Sequence, residues 1–175
     1  MKKFLAFLLN LLRLFKEQET VSKEKSEKSK EDLKFWAIDK KDKTSLKNRL
    51  SKNFLAREFI CGCDDCSYNT IDVALVKQLQ LLREVYGGCI RVTSGYRCSK
   101  HHDEIYRKLQ LKDPKIKKPQ FSQHLAGRAA DITCDDINRL RTIIINNGLF
   151  DGVGTYLTRN IIHVDTRGSK VQWSG

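Results

Sequence analysis

The spacing of apolar residues predicts two core helices in this chain. Apolar side chains recur every three or four positions over residues 72–87 and again over residues 136–147, as they do on one face of a helix. A glycine follows each run, at Gly87 and at Gly148, and glycine is the commonest residue just past the end of a helix. Both segments are therefore predicted to be helices that bury one face.

Four short runs rich in β-branched or alternating residues predict strands. They cover residues 89–93, 152–157, 160–166 and 171–174. Only Thr158 and Arg159 separate the second run from the third, and so short a connection predicts a hairpin.

The first 16 residues show a different pattern, in which small or polar residues form one narrow stripe on a surface of Phe and Leu. The stripe consists of Lys3, Ala6, Asn10 and Arg13. Twelve residues of helix rise about 18 Å, well short of the ~30 Å core of a bilayer, so we expect no full transmembrane span. Three interpretations remain: an export signal that lacks a clear cleavage site, a helix lying in the membrane interface, or a helix packed on a partner protein.

Residues 17–49 are dominated by Lys, Glu and Ser, and their apolar residues lie mainly at positions 33–38. Such a segment buries too little apolar surface to offset the cost of ordering the chain, so we predict a charged flexible tether. A solvated helix with Glu–Lys pairs over residues 21–34 is the alternative. The folded domain is then predicted to span residues 50–175 and to begin with a short helix capped by Ser51.

The formal net charge of +12 indicates a polyanionic setting, such as nucleic acid, anionic lipid or an acidic cell wall. The excess is spread along the chain: residues 1–50 hold 14 Lys and Arg against 8 Asp and Glu, and residues 51–175 hold 19 against 13. The sequence has no basic stripe interleaved with aromatic residues, which argues against a nucleic-acid partner.

His124, Asp131 and His163 form the strongest candidate constellation in the sequence. Small residues at positions 127, 129 and 130 indicate a close-packed backbone rather than a solvated face. His163 lies in a β-branched run, where it shares one strand face with Asp165 and Arg167. Two imidazoles and a carboxylate are the ligand set of a catalytic zinc site that keeps a fourth position for water. The alternative is an ordinary His–Asp hydrogen bond.

The six cysteines leave two interpretations open. Cys61, Cys63 and Cys66 resemble a small metal knuckle, for which Cys98 or Cys89 would supply a fourth donor. In an oxidising compartment the same three would instead form disulfides with more distant cysteines, in a connectivity that spacing does not determine. We favour disulfides or free structural thiols over a second metal.

Four motifs, in this order along the chain, resemble those of the M15 zinc peptidases, and the phage-type branch most of all. They are SGYRC at 94–98, SQHLAGRAADI at 122–132, GVGTY at 152–156 and HVDTRG at 163–168. The family comprises D-alanyl-D-alanine carboxypeptidases and related peptidoglycan endopeptidases. The resemblance implies an α+β fold, with a small antiparallel sheet flanked by helices, as in DD-peptidase and Hedgehog-type zinc domains.

The resemblance also implies roles for individual residues. His124 and Asp131 are expected to hold one catalytic zinc ion together with His163. Arg97 is expected to lie in the cleft, where its planar fork suits a substrate carboxylate or the oxyanion of a tetrahedral intermediate. The residues expected to contact substrate or to support the site are Ser122, Tyr96 and Trp173.

One position departs from part of the family. Asn160 stands three residues before the last histidine, where some members carry a glutamate or an aspartate. Asparagine cannot accept a proton from the attacking water. Asp165, which forms the HxD pattern of the phage-type branch, is the remaining local carboxylate. We assign it as the general base or as the group that orients a ligand, and both roles stay open.

The expected function is hydrolysis of peptide bonds in peptidoglycan stems or cross-links, with an endopeptidase favoured over a carboxypeptidase. The expected protein is a monomer that uses one zinc ion and acts on peptidoglycan peptides in the cell envelope, or is a phage-encoded lysin of the cell wall. A first alternative is a catalytically inactive zinc- and wall-binding module of the Hedgehog type. A second is a membrane-anchored basic binding protein.

Overall fold

A computed structural model of the protein describes residues 34–175. The predicted membrane-interacting segment, residues 1–16, and the first part of the predicted tether, residues 17–33, lie outside the described residues. Among residues 34–175, no helix combines the length and the apolar character that a membrane crossing requires.

Helices and strands alternate along residues 34–175, and the α+β prediction is confirmed. The α-helices are α1 (Lys43–Lys47), α2 (Val73–Tyr86), α3 (Ser99–Lys112) and α4 (Ile137–Asn147). The strands are β1 (Phe35–Asp39), β2 (Tyr68–Asp72), β3 (Arg91–Ser94), β4 (Ala129–Thr133), β5 (Gly152–Tyr156), β6 (Ile161–Asp165) and β7 (Val171–Ser174). Two 3-10 helices cover Ala56–Glu58 and Leu157–Arg159.

The two predicted core helices form where the apolar spacing placed them. At the start of α2 the side chain of Asp72 accepts a hydrogen bond from the Ala74 amide, and Asp136 caps α4 in the same way. The helices end at Gly87 and Gly148, both in the left-handed conformation. Their buried faces consist of Leu75, Val76, Leu79, Leu82, Tyr86, Ile137, Leu140 and Ile144.

A small two-stranded sheet begins the described domain. β1 pairs antiparallel with β2, with Phe35 opposite Asp72, and Ile38 belongs to the hydrophobic core. Residues 34–49 are therefore part of the folded domain, and the predicted domain start at residue 50 is wrong. The reason is that the apolar run in β1 gains a partner strand some 30 residues downstream, which composition alone does not reveal.

The main sheet has five strands in the order β3-β4-β6-β5-β7. The pairs β3–β4, β4–β6 and β5–β6 are antiparallel, as predicted, whereas β5 and β7 run parallel. The sheet is therefore mixed rather than purely antiparallel. The predicted hairpin is the β5–β6 pair, whose connection is the 3-10 helix Leu157–Arg159.

The predicted helix over residues 50–59 does not form, and only Ala56–Glu58 takes up a 3-10 turn. Phe54 and Phe59 are both fully buried, and their rings meet edge to face with centroids 6.0 Å apart. This segment buries its two phenylalanines by packing against the core in an irregular path. Tertiary contacts thus override the local N-cap signal at Ser51.

Candidate metal centre

One face of the main sheet packs on the core and the opposite face carries the candidate metal ligands. In β4 and β6 the core residues include Ala130 and Val164, so the alternate positions Asp131 and His163 lie on the other face. The antiparallel register of β4 and β6 sets Asp131 directly opposite His163. Two of the three predicted ligands therefore meet across a single strand pair.

The third ligand, His124, lies in the tight turn that leads into β4. Gly127 ends this turn with φ at +69°, and a Cβ at that position would lie 2.1 Å from the Thr70 carbonyl oxygen. The Gly127 carbonyl in turn accepts a hydrogen bond of 2.9 Å from the Asp72 amide. Only glycine fits this close approach, which confirms the close-packed backbone predicted from the small residues.

The three donor atoms form a nearly equilateral triangle. The Asp131 Oδ1 atom lies 3.3 Å from His124 Nε2 and 3.1 Å from His163 Nδ1, and those two nitrogens are 3.2 Å apart. Donors bound at about 2.0–2.1 Å to a tetrahedral zinc ion are separated by about 3.3 Å. The donor set and its spacing therefore fit one zinc ion.

Each imidazole is held in a defined tautomer by a second partner. His124 Nδ1 lies 2.6 Å from the Gly95 carbonyl oxygen, which can only accept, so this nitrogen carries the proton. His163 Nε2 donates to the Asp165 carboxylate over 2.9 Å. The other ring nitrogens, His124 Nε2 and His163 Nδ1, face Asp131 and are the ones that would bind a zinc ion. Such outer partners fix the orientation of metal-binding histidines.

Burial and charge act against each other on these three groups. Burial alone would raise the pKa of Asp131, but its contacts with His124, His163 and Arg97 outweigh burial and hold the pKa well below the usual range. For His124, burial lowers the pKa, and this effect is larger than the opposing effect of Asp131. For His163, burial is outweighed by Asp131 and Asp165, and the pKa is raised. These contacts thus keep the Asp131 carboxylate ionised.

Arg97 lies beside the donor triangle, next to Asp131. Its Nη2 pairs with Asp131 Oδ2, the carboxylate oxygen that does not face the histidines, and its Nε donates to Ser94 Oγ over 2.9 Å. The Arg97 amide also donates to the His124 carbonyl over 3.1 Å. Arg97 therefore lies beside the candidate metal ligands, as the resemblance implied.

Asp165 lies behind His163 and is fully buried. The Arg167 guanidinium binds both of its oxygens, with Nε 2.8 Å from Oδ1 and Nη2 2.6 Å from Oδ2. Burial alone would raise the pKa of Asp165, but the contacts with Arg167 and His163 outweigh burial and hold this pKa well below its usual range. Both oxygens are thus occupied, and the side chain does not reach the cavity.

A cavity of about 920 Å³ opens on the donor triangle. Ser122 and Trp173 line it, and the Trp173 ring lies 5.2 Å from that of His163. Tyr156, which accepts a 2.8 Å hydrogen bond from Trp173 Nε1, also lines the cavity and was not assigned there from the sequence. Its position in the motif GVGTY was the available signal. The four cationic residues in the lining are Arg97, Lys117, Arg159 and Arg167.

Two residues singled out in the sequence are placed away from this cavity. Tyr96 is not among the residues that line the cavity, and its amide donates to the Phe59 carbonyl over 2.7 Å. Its expected role, to contact substrate or to support the site, stays a prediction. Asn160 donates through Nδ2 to Thr133 Oγ1 over 3.1 Å, and it therefore faces the end of β4. Neither side chain takes part in the donor triangle.

A second group of potential metal ligands lies outside the cavity. It consists of Cys61, Cys63, Cys66 and Cys98, whose sulfur atoms all lie within 4.8 Å of one another. None of the six cysteines in residues 34–175 forms a disulfide. The predicted disulfides are therefore absent from the described part of the chain, and of the two proposed fourth donors the structure selects Cys98.

Comparison with known proteins gives one match. Residues 113–165 match the family model described as Peptidase M15. This segment contains the whole donor triangle and Asp165, but neither Arg97 nor the four clustered cysteines. No curated protein and no solved structure matches the chain.

Proposed function

We propose that this chain, which belongs to the M15 peptidase family, hydrolyses peptide bonds in peptidoglycan stems or cross-links with one zinc ion held by His124, Asp131 and His163. The observation that carries the proposal is the donor triangle, with sides of 3.1 to 3.3 Å, at the wall of a large cavity. Three protein donors beside an open space are the arrangement of catalytic zinc sites, whereas structural sites are closed by four.

A zinc ion held by His124, Asp131 and His163 would supply a Lewis acid for a peptide carbonyl and would lower the pKa of a bound water to about 7. The side chains around the triangle would then position the substrate. Arg97 supplies a fixed positive charge beside Asp131, where it would stabilise either a substrate carboxylate or the developing oxyanion. Ser122 and Trp173 would form part of the wall against which the peptide lies.

The charge of the cavity supports an anionic substrate. Four Lys and Arg side chains line it, and Asp131 is the sole acidic side chain among the lining residues of the described chain. Stem peptides of peptidoglycan carry free carboxylates, which such a cavity would attract. An endopeptidase remains favoured over a carboxypeptidase because the motifs resemble the phage-type branch most.

Asp165 is better suited to position His163 than to accept a proton from substrate or water. It accepts a hydrogen bond from His163 Nε2, it is bound through both oxygens by Arg167, and it does not line the cavity. Of the two roles left open by the sequence, the buried geometry supports the orienting role. Its effect on catalysis would then act through the metal ligand.

A second candidate function is a zinc- and wall-binding module without catalysis. The observation in its favour is that, within residues 34–175, the cavity lining holds no acidic side chain besides Asp131 that could act as a proton acceptor. The cavity and its cationic residues would then bind wall peptides without cutting them.

The two candidates are separated by incubating the full-length protein with purified peptidoglycan. The measurements are release of free amines, mass analysis of the products, bound zinc and co-sedimentation with the wall. A peptidase releases amines and contains zinc, whereas a binding module contains zinc and co-sediments without releasing amines. His163→Ala is the negative control, and Asp135→Asn, an exposed acid near the sheet, is the matched variant that should behave as wild type. Zinc-loaded protein that neither cuts nor binds peptidoglycan would overturn the substrate proposal.

The cellular setting follows from the same proposal. A basic wall hydrolase would act in the cell envelope, or as a phage-encoded lysin, as a monomer with no nucleic-acid partner. Membrane contact through residues 1–16 remains a prediction of the sequence, and cell fractionation of the full chain against a variant lacking these residues tests it.

A further inference from the structure

We propose that Cys61, Cys63, Cys66 and Cys98 bind a second zinc ion, with a structural role, at a site separate from the donor triangle. The four sulfur atoms converge from the loop before β2 and from the residue that precedes α3. The spacing along the chain is Cys-x-Cys-x2-Cys, followed by the last cysteine 32 residues later. Four thiolates with no open position are the ligand set of a structural zinc site.

The distances between sulfur atoms fit a single ion. Cys63 Sγ lies 3.4 Å from Cys61 Sγ, 3.4 Å from Cys66 Sγ and 3.5 Å from Cys98 Sγ, and Cys61 Sγ lies 3.8 Å from Cys98 Sγ. Sulfur atoms bound at about 2.3 Å to a tetrahedral ion are separated by about 3.8 Å. Cys63 Sγ has three sulfur neighbours at similar distances, which fits four sulfurs around one metal ion. A disulfide would bring only two sulfurs together.

Nitrogen–hydrogen donors surround the sulfurs in the way that stabilises thiolates. The Cys98 amide donates to Cys61 Sγ over 3.4 Å, and the His101 amide donates to Cys98 Sγ over 3.5 Å. His101 Nδ1 lies 3.1 Å from Cys61 Sγ. Lys40 Nζ binds the carbonyls of Cys61 and Cys63, which adds a positive charge next to the cluster. These outer contacts would stabilise four thiolates once a metal ion is bound.

The chemistry of the donors limits the ion. Four soft thiolates select zinc or other thiophilic metals over magnesium, calcium and manganese, which prefer oxygen ligands. Sulfur atoms 3.4 to 3.8 Å apart enclose one ion and leave no room for a cluster of several irons with bridging sulfides. Among the metals that prefer thiolate ligands, zinc has no redox chemistry and therefore needs no redox partner.

The site would brace the loop that supports the donor triangle. Cys98 follows Arg97 directly and caps α3. Three residues earlier, the Gly95 carbonyl accepts a hydrogen bond from His124 Nδ1. A Cβ at Gly95 would lie 2.5 Å from the Phe59 carbonyl oxygen, so this loop already packs tightly on the segment that leads to Cys61. An ion that joins Cys98 to the 61–66 loop would fix both ends of this contact. This bracing role rests on the proposed peptidase function, whereas the metal site itself does not.

The test counts zinc and identifies its ligands in full-length protein purified under reducing conditions. We expect about two zinc ions per chain in the wild type and about one in Cys66→Ser, a variant of a half-buried cysteine. Cys89→Ser is the matched control, because Cys89 is an exposed free cysteine outside the cluster, and it should keep about two. His163→Ala should also fall to about one, through loss of the other ion.

Cobalt substitution distinguishes the two sites by colour. Thiolate ligands give cobalt an intense charge-transfer absorption in the near ultraviolet, which nitrogen and oxygen ligands do not. We expect this band in the wild type and in His163→Ala, and its loss in Cys66→Ser. A wild type with a single zinc ion and no such band would overturn the proposal, as would a Cys66→Ser protein that keeps the wild-type zinc count.

A measurement on the wild type keeps the proposal testable if the cysteine variant does not fold. A thiol-reactive reagent should modify few cysteines until a strong chelator is added, and four further thiols should then react. Four cysteines that react at the same rate with and without chelator would contradict the site. Failure of the peptidase proposal is seen separately, as two bound zinc ions without hydrolysis of peptidoglycan.

Discussion

The donor triangle and the cysteine cluster differ in what surrounds the donors. The triangle has three donors on a sheet face, and a cavity of about 920 Å³ opens beside them. The cluster has four donors, carried by a loop and by the N-cap of α3, and lies outside that cavity. An ion at the first site would keep an open position for substrate, whereas an ion at the second would be closed off. The number of donors thus separates a site for chemistry from a site for structure.

The two groups also differ in how the fold assembles them. Strand register sets Asp131 opposite His163, so the triangle forms with the main sheet itself. The cysteines depend instead on a loop between elements and on one helix end, with no strand pairing among the residues that carry them. The triangle should therefore be largely formed before metal binds, and the cluster should depend more on its ion.

Removal of a triangle ligand should have the largest effect on zinc binding and on hydrolysis. In His163→Ala only two donors remain on the sheet face, so the zinc ion at the triangle should be lost and peptidoglycan hydrolysis should fall to background. The cysteine cluster should be unaffected, because it shares no ligand with the triangle. Zinc content and amine release measure the first effect, and protection of thiols from modification measures the second. Loss of thiol protection in this variant would show that the two groups are not independent.

Arg97→Lys tests the residue that connects the two regions. Lysine keeps the charge but lacks the planar fork that binds Asp131 and Ser94 together. If Arg97 stabilises the transition state, kcat should fall about 10²- to 10³-fold while the zinc count stays unchanged. The matched control is Arg159→Lys, at a cavity arginine that stacks on Tyr156, and it should affect KM more than kcat. A kcat close to wild type would exclude a direct role for Arg97 in the reaction.

Asp165→Asn separates the two roles that the sequence left open for this residue. As the orienting partner of His163, its loss should weaken zinc binding at the triangle about 10- to 100-fold, with hydrolysis restored in part by added zinc. A general base would behave differently: zinc affinity would be unchanged and turnover would be abolished at any zinc concentration. Competition with a zinc-binding dye gives the affinity, and Asp135→Asn at the exposed edge serves as the control.

Trp173→Phe should give the smallest effect of the four. Phenylalanine keeps an aromatic wall beside His163 but removes the 2.8 Å hydrogen bond from Nε1 to Tyr156. We expect KM to rise about two- to tenfold with little change in kcat, as for the loss of one hydrogen bond at a binding surface. Trp36→Phe, in the small sheet and away from the cavity, should leave KM at the wild-type value. Equal changes in both variants would indicate a general loss of stability.

The parts of the fold that the sequence predicted are those with strong local signals. α2 has a long apolar stripe and a glycine stop at Gly87, and the structure has both. The hairpin of β5 and β6 was equally clear, because few residues connect its strands. Strand β1 was missed because it is short and flanked by charged residues, and only its pairing with β2 makes it a strand.

The candidate sites also combine features that have a local sequence signal with features that depend on contacts between distant residues. The three triangle ligands could be named because motif and spacing agree, but the role of Asp165 depends on its burial and on its contact with Arg167. The sequence offered Cys61, Cys63 and Cys66 together and left the fourth donor open. The choice of Cys98 is a contact across more than thirty residues, which chain spacing does not encode.

The opposite protonation of the two imidazoles has a consequence for spectroscopy. One ring carries its hydrogen on Nδ1, bound to a main-chain carbonyl, and the other carries it on Nε2, bound to a carboxylate. In zinc-loaded protein labelled with nitrogen-15, His124 should keep its ring proton on Nδ1 and His163 should keep its ring proton on Nε2, so the two rings should show mirror-image patterns of resonances. The appearance of this pair of patterns during a zinc titration would report the filling of the site without any need for a substrate.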